Sequence, residues 1–199
     1  MRKSLLLVFT LAIPVSVFLF LKIFGNNQFE VPVLYENGIP GCGVEGEVHR
    51  VKWNDYQLPP AIQSGNDYLV VAYGPEIVKD QGLYAEIGRI SDAFAEQQDV
   101  AFVLLFTPDL LPAPDAQPLK LSHYLVRILM ESSHLEGFLS CQLGLDTKLE
   151  KDKIKLALVD KQGRIRGLYE SDDRKQTDRL ILELKILIKS EKPVDGRQG

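Results

Sequence analysis

Two uninterrupted apolar runs dominate the middle of the chain: Tyr68-Leu69-Val70-Val71-Ala72-Tyr73, and Val100 to Phe106. A strand that is apolar at every position must be covered on both faces, so each run reads as a central strand of a sheet with helices on either side. Between them Leu83, Ile87, Ile90 and Phe94 fall at i, i+4, i+7 and i+11, the apolar stripe of a helix. A helical crossover of this kind joins strands that run parallel in one sheet. The chain is thereby committed to an α/β architecture, and the remaining elements have to fit around it.

Val48–Trp53 is expected as a strand ahead of this unit. Pro108, Pro112, Pro114 and Pro118 make a rigid loop after the second run, and Leu121, Leu125, Ile128 and Leu129 then stripe a second helix, with Pro118 near its first turn. Ile154–Val159 is expected as a strand, Asp160-Lys161-Gln162-Gly163 as a turn, and Arg164–Tyr169 as the returning arm of a hairpin. Asp172 or Asp173 caps a last helix through about Ile188, with Leu180, Ile181, Leu184, Leu187 and Ile188 on its apolar face. The predicted order is β, β-α-β-α, then β-β-α, with no internal repeat. That is the order of a thioredoxin-like domain, a mixed sheet flanked by helices.

The N-terminus reads as a membrane segment. After Met1-Arg2-Lys3 no charge occurs from Ser4 to Leu21, and Lys22, Ile23 and Phe24 follow. As a helix, Leu5–Phe24 would span roughly 30 Å, one hydrocarbon core. A cleaved signal peptide should end in small residues, whereas Val17-Phe18-Leu19-Phe20-Leu21-Lys22 is bulky throughout. The expectation is an uncleaved signal anchor, kinked at Pro14, with a cytoplasmic N-terminus set by Arg2 and Lys3 and the rest of the chain on the extracytoplasmic, periplasmic side. The sequence thus divides into an anchor or transmembrane helix at 1–24, a Gly-, Asn- and Pro-rich linker at 25–46, one α/β domain at 47–190 and a frayed tail at 191–199.

Charge and composition exclude more than they name. The net charge is −4; setting aside Arg2, Lys3 and Lys22 from the 23 basic residues leaves 20 against 27 acidic ones, a balance of −7. Neither nucleic acid nor an anionic lipid surface suits such a domain. Two cysteines rule out a disulfide-dense scaffold and a four-cysteine zinc site. Cys42 and Cys141 are a candidate structural disulfide that would pin the linker onto the domain. Free thiols, pairing between chains, and a metal site built with His49 and His134, each seven residues from a cysteine, stay open beside it. His123 reads as a surface histidine, Glu150-Lys151-Asp152-Lys153 as a solvated turn, and Trp53 and Tyr56 as residues packed on the sheet edge. Ser132-Ser133-His134 lacks an elbow motif, and no P-loop or dinucleotide-binding glycine pattern is present.

A resemblance sharpens this. The run Leu156-Ala157-Leu158-Val159-Asp160-Lys161-Gln162-Gly163-Arg164-Ile165-Arg166-Gly167-Leu168-Tyr169 is similar to the "LYLVDKEGRIRGYY" hairpin of the Sco/SenC family, copper-handling proteins of cytochrome oxidase assembly. Asp178-Arg179-Leu180 fits that family's closing helix, and Phe29–Tyr35 resembles the linkers of its bacterial members. An aliphatic-Val-Asp-x-x-Gly-x-Ile hairpin also occurs in peroxiredoxin-like domains. The family's chemistry does not carry over. Its Cys-x-x-x-Cys pair follows the first core strand, where this chain has Gly74-Pro75-Glu76-Ile77-Val78-Lys79-Asp80-Gln81-Gly82. Its histidine ligand aligns with Asp152, and no proline between Pro118 and Pro193 can serve as the usual cis-proline.

The reading that results is a membrane-anchored, non-catalytic binding or assembly module, with no catalytic residue, cofactor or metal site expected. Its docking groove would lie around Tyr73–Gly82 and the Glu150–Lys153 turn, facing a partner protein of the cell envelope. The resemblance implies respiratory oxidase assembly or copper trafficking as the pathway. The competing expectation is a thiol redox or copper-transfer protein that uses Cys42 and Cys141.

Overall fold

The structure is a computed structural model, and it describes residues 10, 12–20, 30–43, 45–53, 68–73, 81–108, 124–145 and 155–191. The chain forms two compact units, 1–30 and 31–199. In the first, residues 12–20 are helical, and Ile13, Val15, Val17, Phe18, Leu19 and Phe20 are all exposed. Among the described residues no helix is long and apolar enough to cross a membrane.

The second unit is built on a five-stranded mixed sheet. Its described elements are β1 (Tyr68–Tyr73), α1 (Gln81–Asp92), β2 (Val100–Phe106), β3 (Tyr124–Leu129), α2 (Ser132–Cys141), β4 (Lys155–Val159), β5 (Ile165–Glu170) and α3 (Arg174–Glu191). The strand order is β3-β2-β1-β4-β5. β1, β2 and β3 run parallel, with Tyr68 opposite Val100 and Ala101 opposite Tyr124. β4 lies antiparallel to β1, and β5 to β4. The β2-β1-β4-β5 portion, with a helix after β1, another before β4 and a third after β5, is the thioredoxin-like arrangement; β3 extends it at one edge.

Side-chain alternation divides the core into two layers. Val70, Ala72, Phe102, Leu104, Leu156 and Leu158 face Ile87 and Ile90 of α1 and Leu180, Leu184 and Leu187 of α3. Leu69, Val71, Val103, Leu105, Ala157 and Val159 face Leu135, Phe138 and Leu139 of α2. Because every position of β2 is buried, its seven residues feed both layers, which accounts for the uninterrupted apolar run in the sequence.

Three elements depart from the sequence expectation. The stripe ending at Ile128 and Leu129 is not helical: 124–129 is strand β3, and 121–123 lie outside the described residues. Val126, Ile128 and Met130 point inward while Arg127 and Leu129 are exposed, a period of two that six residues share with a helical pattern. The following stretch, to which the predicted order assigns no element, is α2, which carries Cys141 as its last residue. The expected strand at 48–53 is reduced to a single antiparallel bridge between Arg50 and Arg164. Its amides serve different partners: His49 donates to the Tyr35 carbonyl, Val51 to that of Gly163 and Lys52 to the Gln142 side chain, so no ladder forms.

The hairpin and last helix match in kind. Gly163 N donates to the Asp160 carbonyl at 2.9 Å, closing the turn. Asp173 caps α3 by accepting from Lys175 N at 2.9 Å. The β4–β5 register skips one residue, Leu158 facing Gly167 and Val159 facing Ile165, so Arg166 is the extra residue of a bulge.

Candidate functional site

In a sheet of this topology the natural place for chemistry is the carboxyl end of β1, where Tyr73 sits. Tyr73 is half-buried against the α2-side core; burial, and then the negative charge of Glu136, push its phenol above its ordinary value. Beyond it, 74–80 lie outside the described residues, and Gln81 and Gly82 open α1. Glu150–Lys153, Asp152 included, also lie outside them, as do Tyr56 and His123. The expected docking groove is therefore represented by Tyr73 and the start of α1.

The described chemistry lies at the C-terminal end of α2. Cys42 and Cys141 are joined in a disulfide, with Cα atoms 5.2 Å apart and 99 residues between them in sequence. Both of the chain's cysteines are thereby used, and no free thiol remains. His49 is close in the fold: its ring Nε2–H donates to the carbonyl of Gln142, the residue after Cys141, at 2.9 Å. His134 stands exposed on the first turn of α2, as do Ser132 and Ser133. With the sulfurs bonded to each other neither is a thiolate donor, and among the described residues no group of three His, Cys, Asp or Glu could hold a metal ion.

The bond belongs to a larger structure, of which the sequence presented the part up to 46 as linker and Val48–Trp53 as a strand. Residues 31–43 and 45–53 lie on the domain, with Val31, Ile39 and Val51 buried. Leu34 N donates to the Ile165 carbonyl at 2.8 Å and Val51 N to that of Gly163 at 2.8 Å. Tyr35 Oη donates to the Gly144 carbonyl at 2.8 Å. Trp53 packs on Phe138 of α2 with ring centroids 5.0 Å apart, on a helix where a sheet edge was expected. Arg166, projecting from the bulge, donates to the Val31 carbonyl and to Asp160 Oδ2. Asp160 is buried and also accepts from Gln162 N, Arg164 N and Arg164 Nε at 2.7 to 3.0 Å. Nothing in the sequence singled out Tyr35, His49 with Gln142, or Arg166, because each meets a partner from a distant stretch of chain.

No family model matches the sequence, and no curated protein matches it. Among solved structures the chain is similar to BsSco, a member of the Sco family of cytochrome c oxidase assembly proteins, at 12% identity and a TM-score of 0.46, covering 64% of this chain and 83% of that one. It is similar to a SCO1/SenC family lipoprotein from Bacillus anthracis at 14% identity and a TM-score of 0.45, over 64% of this chain and 85% of that one. It is also similar to the 2-Cys peroxiredoxin of Plasmodium vivax at 15% identity and a TM-score of 0.46, over 68% and 73%. Its structural neighbours are therefore Sco/SenC proteins together with peroxiredoxins. A likeness this remote says nothing of chemistry.

Proposed function

We propose that this chain is a membrane-anchored, extracytoplasmic thioredoxin-fold protein that binds or assembles a partner and performs no catalysis at the end of β1. One observation carries the reading. The only two cysteines are bonded to each other at the C-terminal end of α2, and the stretch Gly74–Gly82 after β1 contains neither cysteine nor histidine. Dithiol exchange needs a thiolate, and Cu(I) needs soft donors; neither is supplied there. The fold without its chemistry is a docking scaffold, and function belongs to its surface.

The disulfide supports an oxidising compartment. The apolar, outward-facing residues of 12–20, within an uncharged run that follows Arg2 and Lys3, support an anchor whose N-terminus is cytoplasmic. The hairpin's resemblance to Sco/SenC proteins supports a place in respiratory oxidase assembly or copper trafficking.

The test is photo-crosslinking in intact membranes from a residue analogue placed at Pro75 or Glu76. A discrete adduct that is absent when the probe sits at exposed Lys175 is expected. A smear, or no adduct at all, would remove the docking reading. Carbonate extraction of the same membranes checks the anchor, which should stay in the pellet.

A second reading, thiol redox or copper transfer through Cys42 and Cys141, is favoured by the half-exposed position of both residues. Cu(I) titration of the reduced chain against a competing chelator separates the two. Stoichiometric binding that disappears in Cys42→Ser/Cys141→Ser would move the function to these sulfurs.

A further inference from the structure

Residues 35–43 and 45–49 belong to a loop whose two ends meet: His49 N donates to the Tyr35 carbonyl at 3.0 Å. Within it Gly38 N donates to Tyr35 O, Gly46 N to Asn37 O and Cys42 N to Ile39 O, each at 3.1 Å. This is the build of an Ω-loop, compact and closed at its neck. The neck is fastened to the domain independently of the disulfide. Tyr35 Oη donates to Gly144 O at 2.8 Å and His49 Nε2–H to Gln142 O at 2.9 Å. Just beyond the neck, Leu34, Val51 and Lys52 are hydrogen-bonded to Ile165, Gly163 and Gln142.

The body of the loop is fastened differently. Among the described residues of 36–48, no hydrogen bond reaches the rest of the domain; the attachments are the Cys42–Cys141 bond and buried Ile39. Glu36, Pro40, Gly41, Gly43, Glu45, Gly46, Glu47 and Val48 are exposed. Neck and body therefore have separate anchors, and only the body depends on the disulfide.

We propose that Cys42–Cys141 is a reversible redox latch: an external dithiol opens it, the loop body is released, and the neck and the domain stay in place. This inference does not depend on the docking reading above. In the opening step a thiolate of the external dithiol attacks one sulfur, forming a mixed disulfide and expelling the other cysteine as a thiolate. The second thiol of the donor then closes the donor's own disulfide and expels the remaining cysteine. Two electrons and two protons pass to Cys42 and Cys141, and the donor leaves oxidised. Release draws Ile39 out of the α2-side core and uncovers apolar surface in the reduced state alone.

The test uses the full chain in a mild non-ionic detergent, with and without dithiothreitol. It is digested by a Glu-specific protease and the cut sites are mapped by mass spectrometry. Reduction is expected to speed cleavage at Glu36, Glu45 and Glu47 about tenfold, as for local opening, without new cuts in the sheet or α3. The thermal transition should stay cooperative, and reoxidation should restore protection. Cys42→Ser/Cys141→Ser should fold and show the reduced pattern without reductant. Cleavage throughout the domain, or a double variant that does not fold, would make the bond a structural staple and overturn the latch. Unchanged cleavage in the loop, or a bond that dithiothreitol opens only with denaturant, would overturn it too.

Discussion

The ring of Tyr35 lies where a side chain on Gly144 would have to go. A Cβ built on Gly144 would come within 2.4 Å of the Tyr35 ring and hydroxyl, and Gly144 holds a φ of +63°. The same hydroxyl donates to the Gly144 carbonyl at 2.8 Å. Gly144→Ala therefore meets both steric overlap and a left-handed backbone that alanine resists, and should lose about 2–4 kcal/mol in urea denaturation. Tyr35→Phe, which removes only the hydrogen bond, should lose about 1 kcal/mol. In Tyr35→Ala/Gly144→Ala the overlap is gone, so the double variant should be less destabilised than the sum of its parts. Strict additivity would show that the two residues are not in contact.

Asp160 and Arg166 make the second prediction. The Asp160 side chain is fully buried, that of Arg166 is 10% exposed, and they meet at 3.1 Å. Replacing one partner of a buried pair strands the other, which typically costs about 3–5 kcal/mol. Asp160→Ala should fall in that range, since it also removes the acceptor for Gln162 N and Arg164 N that shapes the hairpin turn. Arg164→Ala, which removes a side chain that is 29% exposed, should cost about 1 kcal/mol or less. If the two variants melt alike, the buried pair is not what holds the hairpin.

These two contacts also mark where the sequence stops being informative. β1, β2 and the hairpin were legible because burial on both faces, or a turn flanked by alternating residues, leaves a local signature. In β3 the inward residues Val126 and Ile128 compete with an equally good helical stripe through Leu125, Ile128 and Leu129, and neighbouring β2 decides the outcome. α2 carries Leu135, Phe138 and Leu139 at helical spacing, but Gly137 and three serines dilute it. The cysteine pairing was legible as a candidate because only two cysteines exist, with free thiols, pairing between chains and a metal site open beside it. The loop neck was not, since Tyr35, His49, Gln142 and Gly144 are brought together only when α2 packs on the sheet.

Glu86 links α1 to α3, and its titration should show in the acid stability of the domain. Burial works to raise its carboxyl; hydrogen bonds from Arg89 and Thr177, with the charges of Arg89 and Arg174, outweigh it and hold the group below its ordinary value. Arg89 also donates to Asp178 Oδ1 at 2.6 Å, closing the cluster between the helices. A carboxyl depressed in the folded state contributes stability that is present above its unfolded value of 4.5 and is lost as pH falls through the folded value. Glu86→Gln should melt below the parent at pH 7, and the two curves should converge in acid. Melting curves that stay parallel down to pH 3 would remove Glu86 from the account.

Tyr169 carries the opposite pH signature. Its ring is buried, its hydroxyl donates to Glu183, and Arg179 stacks 4.8 Å from the ring centroid. Burial first, then the hydrogen bond and negative charge of Glu183, push the phenol far above its ordinary value of 10.0. Above pH 10 the unfolded chain releases a proton that the folded chain keeps, so the stability contributed by this tyrosine is full below pH 10 and declines as pH rises. Tyr169→Phe should be less stable than the parent at pH 7, and the gap should narrow between pH 10 and 12. Part of the alkaline sensitivity should persist, because burial also raises Tyr35 and Tyr73. Gly167→Ala offers an independent check on the same ring: its Cβ would fall 1.9 Å from the Tyr169 hydroxyl, so the tyrosine has to leave its position beside Glu183. That variant should lose stability at pH 7 and show the flattened alkaline profile of Tyr169→Phe. A full parental alkaline slope in either variant would place the base-sensitive group elsewhere in the domain.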